Sequence, residues 1–265
     1  MSTSSTRERL SRRLLVLAVA GAAIFVLPLL ALIWRTPWAR LGTILGSEIV
    51  RDALVVSLIS SIAAALLSTI LGVPLAWLLS RVEFRGRNFL RALVTLPMVL
   101  PPVVGGAALL FAFGRRGLVG DTLEAATGLV LPFSIWGVIL ANTFVAMPFL
   151  VVTVEGALRS SDGRHEAAAA SLGANQLTVF RRVALPMIAP SLRAGVVLAW
   201  ARALGEFGAT ITFAGNSPGR TQSLPLAVFV ALESDRDAAV AISLLLVAIS
   251  LVVLLTMRDR WWSRS

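Results

Sequence analysis

The stretch RSSDGRHEAAAASLGANQLTVFRRVALPMIAP, Arg159 to Pro190, interrupts two long apolar segments with polar sequence. Good helix formers fill Glu166–Leu172, Gly173 stands where a helix can end on a left-handed residue, and Asn175 can cap a second helix after it. The pattern predicts two short helices around a tight turn. A chain that only had to cross back through a bilayer would need a few residues here. The length predicts a structured platform for a docking partner.

The 265 residues are 57% hydrophobic and 14% charged, with a mean hydropathy of +0.85. A soluble domain is nearer half apolar and a quarter charged, so the chain reads as an integral membrane protein. All 24 basic side chains are Arg, and the net charge is +10. Nucleic acid is discounted as a partner, because the arginines sit in short loops beside apolar spans, which is the topology signal of a bilayer protein. Without Cys there is no disulfide or thiol chemistry, and the lone His165 leaves no cluster for a metal.

Residues 1–13 are rich in Ser and Arg and precede an apolar run, Leu14 to Trp34, that is about 30 Å long as a helix, the thickness of a bilayer core. It is too long for a signal peptide and lacks a prompt small-residue cleavage site, so it reads as a first transmembrane helix. Five more spans are predicted: Leu54–Leu79, Ala92–Phe113, Phe133–Val154, Leu192–Ala214 and Ala238–Met257. The resulting fold class is an all-α polytopic membrane protein with six transmembrane helices across 14–257. Pieces 1–13, 81–91, 155–193 and 258–265 hold 16 arginines, and the pieces on the other side hold 7. The positive-inside rule therefore predicts an N-in/C-in arrangement, with cytoplasmic tails at 1–13 and 258–265 and the loop 155–190 in the cytoplasm.

Within the spans, Pro97, Pro101 and Pro102 precede Gly105 and Gly106. They predict either a kinked structural helix or a bend beside a translocation path. Ser57, Ser61, Ala65, Ser68 and Gly72 form a small-residue face suited to close helix packing, and Gly195, Ala199 and Ala203 form another. Arg202 and Glu206 are a charged pair inside the fifth span, four residues apart on one helical face. Such charges are costly in a bilayer and face a bundle interior or an aqueous cavity. The pair can therefore fix packing or line a path, with Thr210, Thr212 and Asn216 offering hydroxyl and amide groups further along. Gly205 and Gly208 permit local unwinding beside it. Leu224–Leu232 is apolar but too short to span, and predicts a short helix at the membrane surface or at the exit of a path.

A phosphate-binding loop of the G-x-x-x-x-G-K-[ST] type needs a Lys, and the chain has none, so it cannot hydrolyse ATP alone. GRRGLVG at 114–120 follows no strand and is loop, not a dinucleotide site. With one His in a loop and no buried carboxylate pair at acid–base spacing, an enzyme is not expected. A transporter, a channel or an assembly factor is left.

The run EAAAASLG at 166–173, then nine residues and VALP at 183–186, resembles the cytoplasmic signature of permease subunits of bacterial ABC importers. The signature reads E-A-A, three residues, Gly, nine residues, Ile-x-Leu-Pro. Gly173, Val183, Leu185 and Pro186 keep its spacing, while Glu166 lies one residue early and puts Ala167 and Ala168 in the first places. Within the family, LPMVLPPVVGG (96–106) with FGRRG after it, and ARALGEFGATITFAGN (201–216) followed by PGRTQSLPLAV, are similar to the permeases for molybdate. Those for sulfate and thiosulfate carry similar stretches.

The resemblance implies a type I (MetI-like) importer fold, multi-pass in the bacterial cytoplasmic (inner) membrane, and a homodimer of six-helix subunits. It implies two copies of an ATP-binding subunit that carry the ATP and Mg, with no cofactor on this chain, and an extracytoplasmic oxyanion-binding protein. The loop would dock on the ATPase through Glu166, Ala167, Ala168, Gly173, Arg181, Arg182, Val183, Leu185 and Pro186. The cargo it implies is an oxyanion, molybdate or tungstate, with sulfate or thiosulfate as the alternative. An ion-gradient-driven transporter using Arg202 and Glu206, and a membrane scaffold protein, are the readings from other classes.

Overall fold

The computed structural model describes residues 12–261, so most of the two predicted tails lies outside the described residues. Every element among those residues is helical. In order they are α1 (Arg12–Arg35), α2 (Leu41–Leu45), α3 (Glu48–Arg81), α4 (Arg87–Thr95) with a 3-10 turn (Leu96–Met98), α5 (Pro102–Phe113) and α6 (Gly120–Thr127). Then come α7 (Ile135–Ser160), α8 (Arg164–Ser171), α9 (Gln176–Val179), a π-helical turn (Phe180–Ala184) and α10 (Leu185–Met187). The chain ends with α11 (Ala189–Leu204), α12 (Gly208–Phe213), α13 (Leu224–Ser234) and α14 (Arg236–Trp261).

Four helices, α1, α3, α7 and α14, are long and apolar enough to cross a membrane, and two bent pairs raise the number to six. The centre is the packing of α3, α7 and α11. Their seam holds Ala64, Val73, Ala76, Leu150, Val154, Ala199 and Ala203, and Ala184 and Ile188 of the platform segment close it at one end. The predicted small-residue faces lie in these seams: Ser57, Ser61, Ala65, Ser68 and Gly72 are all buried, as are Gly195, Ala199 and Ala203. At the other end α13 and α14 pack on the start of α3 through Val50, Ala53, Leu224, Ala227 and Ile242. The apolar side chains of α1 are exposed along its length, as suits a helix against lipid.

Two of the expected spans are corrected, Ala92–Phe113 and the start of Leu54–Leu79. The span Ala92–Phe113 is not one kinked helix. Its halves, residues 87–98 and 102–113, meet at 117°. Two consecutive prolines remove two backbone donors, and Pro101 is extended at φ −54° and ψ 129°, which ends the first half outright. The span Leu192–Ala214 is unwound at residues 205–207, between α11 and α12, as Gly205 and Gly208 predict. α3 begins at Glu48 rather than Leu54. Arg51 and Asp52 lower the hydropathy there, but no residue breaks the helix. α13 is the expected short helix, with Leu224 and Leu226 fully buried in the bundle and Phe229, Val230 and Leu232 exposed.

Candidate coupling platform and translocation path

The platform folds as its residues predict. α8 ends on Gly173, whose φ is +86°. The Ala174 N–H donates to the Ala169 carbonyl (3.1 Å) and the Gly173 N–H to the Ala170 carbonyl (3.0 Å), the paired closure of a Schellman C-cap. No neighbour lies within 4 Å of where a Gly173 side chain would begin, so the need for Gly is conformational rather than steric. Asn175 Oδ1 accepts from the Thr178 N–H at 2.8 Å and starts α9.

Pro186 lies inside the following helix instead of ending it. The π turn before it, closed by the Leu185 N–H on the Phe180 carbonyl, widens the backbone where the proline ring would crowd the carbonyl four residues back. The break falls at Ile188, where the two helices meet at 81°, and Pro190 in the first turn of α11 has no N–H to carry the earlier helix across it.

Arginines fasten the platform to the bundle. Arg81, the last residue of α3, donates from Nε and Nη2 to both carboxylate oxygens of Glu166 (2.9 and 2.7 Å), and from Nη2 to Ser161 Oγ (2.9 Å). Its guanidinium lies 6.0 Å from the Trp77 ring, which in turn meets Phe180 edge-on at 5.1 Å. Arg91 of α4 pairs with the buried Glu155 of α7 at 2.6 Å, and Arg159 stands 3.7 Å from the same carboxylate. Arg87 and Arg91 also donate to the Leu79 carbonyl (2.7 and 3.1 Å), taking up acceptors that the end of α3 leaves open. These contacts were missed in the sequence, where the arginines register only as topology signals.

The outward surface of the platform presents small and apolar side chains among its polar ones. Ala167 and Ala168 are exposed, Leu172 at its tip is 89% exposed, and Leu177 is exposed beside it. Beneath α8 a cavity of about 410 Å³ is lined by Trp77, Arg81, Glu166, Ala170 and Gln176. Arg181 and Arg182 are exposed, with no ion pair among the described residues. Val183 and Leu185 are half-buried, and Pro186 is exposed.

The predicted path residues fall in three settings. Glu206, only 2% exposed, takes Arg202 Nη1 at 2.7 Å, and its other oxygen accepts the Ala209 N–H at 2.8 Å, bridging the break between α11 and α12. Thr210 is fully buried and donates to Asn142 Oδ1 (3.3 Å), while Asn142 Nδ2 donates to Ser60 Oγ (3.1 Å). This polar chain ties α12, α7 and α3 together. Asn142 and Ser60 were missed, since neither stands out in an apolar run.

Thr212 bonds back to the Gly208 carbonyl (2.9 Å), and Asn216 Oδ1 is buried without a partner. The sequence-predicted set is therefore not one site: Arg202 and Glu206 are together, Thr210 is in a separate network, and Asn216 lies beyond. The prolines meet this region from outside, because a side chain at Gly208 would begin 2.8 Å from Pro102 Cβ, and one at Gly106 would begin 2.7 Å from the Ala209 carbonyl oxygen. α5 and α12 can cross this closely only through glycine.

The "Molybdenum transport system permease protein ModB" of Mycobacterium tuberculosis is 48% identical over 238 residues, covering 90% of each chain. Its namesake from Escherichia coli is 39% identical over 213 residues, or 80% of this chain and 93% of that one. The "Sulfate transport system permease protein CysT" of Salmonella typhimurium is 37% identical over 248 residues, 91% of this chain and 89% of that one. The crystal structure of a bacterial ABC transporter that imports the acidic polysaccharide alginate shares the fold, with a TM-score of 0.76, 18% identity and 95% coverage of both chains. Residues 68–262 match the family described as "Binding-protein-dependent transport system inner membrane component", and the chain belongs to that family of multi-pass inner-membrane permeases.

Proposed function

We propose that this chain is the membrane-spanning subunit of an ATP-driven importer of molybdate. The observation that carries the reading is 48% identity to a molybdenum permease across nine-tenths of both chains, above the 37% shared with the sulfate permease. Tungstate has the same tetrahedral shape and charge and is taken as a second cargo.

Two copies of the chain would form the path, and two ATP-binding subunits would sit under the two platforms, which face the cytoplasm with both chain ends. A binding protein delivers the anion on the other side. Binding-protein dependence is the family's own description, and a relative of this fold is known in complex with its substrate-loaded periplasmic protein. The platform supports the docking role physically. The exposed alanines of α8 let a partner groove approach closely, and the Arg81–Glu166 pair ties α8 to α3.

The test is uptake of labelled molybdate into liposomes holding the complete transporter, with unlabelled tungstate and sulfate as competitors. Competition by tungstate but not by an equal concentration of sulfate is expected. Uptake of labelled sulfate at the molybdate rate would overturn the choice of cargo.

A further inference from the structure

At the end of the bundle opposite the platform a cavity of about 510 Å³ opens where α5 ends, α7 begins and the α12–α13 connection returns. Arg115, Pro132, Phe133, Ser134 and Arg220 are among the residues that line it. α7 fixes its place, since Ser134 caps that helix here and its last residue, Ser160, leads into the platform. At 1.5 Å per residue the two ends are about 39 Å apart.

The cavity holds cations with little to balance them. Arg115 is 69% exposed, and its one ion pair among the described residues is a long contact with Glu124 at 3.8 Å. Arg220 has no ion pair among the described residues. Two guanidinium forks over an otherwise mostly apolar wall favour a compact, multiply charged oxyanion, which accepts paired hydrogen bonds and whose field the low-dielectric wall concentrates.

The wall itself is held in a strained form. Phe133 is the one non-glycine residue with positive φ among the described residues, at 57°. Its ring lies against Gly215, also left-handed at φ +74°, where a side chain would begin 2.9 Å from Phe133 Cδ1. Such strain persists where the surroundings impose it, and it clusters at working sites. Gly215 leads directly to Asn216, whose amide oxygen is buried without a partner.

We propose that Arg115 and Arg220 form an admission site for the tetrahedral dianionic oxyanion, at which the anion displaces Glu124 from Arg115 on its way from the binding protein into the path. The proposal rests on the importer reading above. It assigns the anion, rather than an acidic surface of the binding protein, to the two arginines.

The test uses the complete transporter in liposomes with saturating binding protein, and reads labelled molybdate uptake beside ATP hydrolysis stimulated by the binding protein. Arg115→Gln and Arg220→Gln should each slow uptake about tenfold, the loss of roughly one charge-assisted hydrogen bond. Stimulated hydrolysis should stay at the parent level, and Arg220→Lys should recover part of the uptake. Glu124→Gln should raise uptake when the loaded binding protein is limiting. Uptake unchanged in both glutamine variants would overturn the site, as would a Glu124→Gln variant no faster than the parent. Loss of the stimulated hydrolysis along with uptake would show that the arginines dock the binding protein instead. If the parent transporter moves no molybdate, the importer reading fails first, and the variants are not needed to show it.

Discussion

Arg81 and Glu166, 85 positions apart, meet in a two-pronged ion pair at 2.9 and 2.7 Å that joins the end of α3 to the first turn of α8. Glu166 stands one residue earlier than the family signature asks, and the pair gives that position a task. A shift of one residue turns a helix by about 100°, and the exposed Ala167 that follows cannot replace the contact. Both side chains are partly buried, and Ser161 shares the guanidinium.

Glu166→Gln and Arg81→Ala should each lower the stability of the purified permease by about 1–3 kcal/mol, less than a fully buried pair because the site is partly hydrated. Thermal unfolding of the two single variants and the double variant checks this. The double variant should cost less than the sum of the singles, as expected of groups in contact.

Arg91 and Glu155 form a second such contact, with the carboxylate side chain 8% exposed. Arg91→Ala leaves that charge with Arg159 at 3.7 Å and the Leu79 carbonyl with Arg87 alone. It should cost about 3–5 kcal/mol, whereas Glu155→Gln keeps an acceptor and should cost less. A loss in Arg91→Ala with none in Glu155→Gln would mean that Arg91 contributes through packing of its stem alone.

Arg202 and Glu206 can be separated into packing and path by the order in which they are removed. Arg202→Ala leaves a carboxylate that is 2% exposed without its cation, while Glu206→Gln leaves a half-buried guanidinium and an oxygen still able to take the Ala209 N–H. Arg202→Ala should be the more destabilising by about 2 kcal/mol. The double change Arg202→Ala with Glu206→Gln should recover most of the stability. Uptake that recovers with it assigns the pair to packing, and uptake that stays low in the stable double variant assigns it to the path.

Leu172 projects from the platform with 89% of its surface exposed. Leu172→Asp should leave the permease folded, since no packing is lost, and should reduce co-purification of the ATP-binding subunit at least tenfold. A folded variant that still binds the ATPase normally would move the docking surface away from this tip.

The sequence was most legible where local rules act alone. Gly173 at φ +86° and Asn175 as an N-cap follow from turn and capping chemistry within a few residues. The small-residue faces on α3 and α11 follow from helical spacing. Long-range contacts left no comparable signal. Arg81, Arg87 and Arg91 add to a charge count whether they face water or clamp Glu166, the α3 carbonyls and Glu155. Ser60 and Asn142 look like ordinary small polar residues until the fold brings Thr210 to them.

The prolines show the limit most plainly. Pro101 and Pro102 turn the chain by more than a right angle, whereas Pro186 stays inside a helix because a π turn makes room for it. The residue type is the same, and the neighbouring backbone decides.

Transmission of ATP hydrolysis on a partner, through the platform, to the helices above is the step on which the importer reading turns. It is read from the ratio of ATP hydrolysed to molybdate taken up by the complete transporter carrying Gly173→Val, beside Gly173→Asn. Val resists the left-handed conformation at a cost of about 1–2 kcal/mol, while Asn adopts it readily. The Val variant should assemble and hydrolyse ATP but lose most of its uptake, with the Asn variant near the parent ratio. An unchanged ratio in the Val variant, or uptake that runs on a proton gradient without ATP, would contradict this coupling.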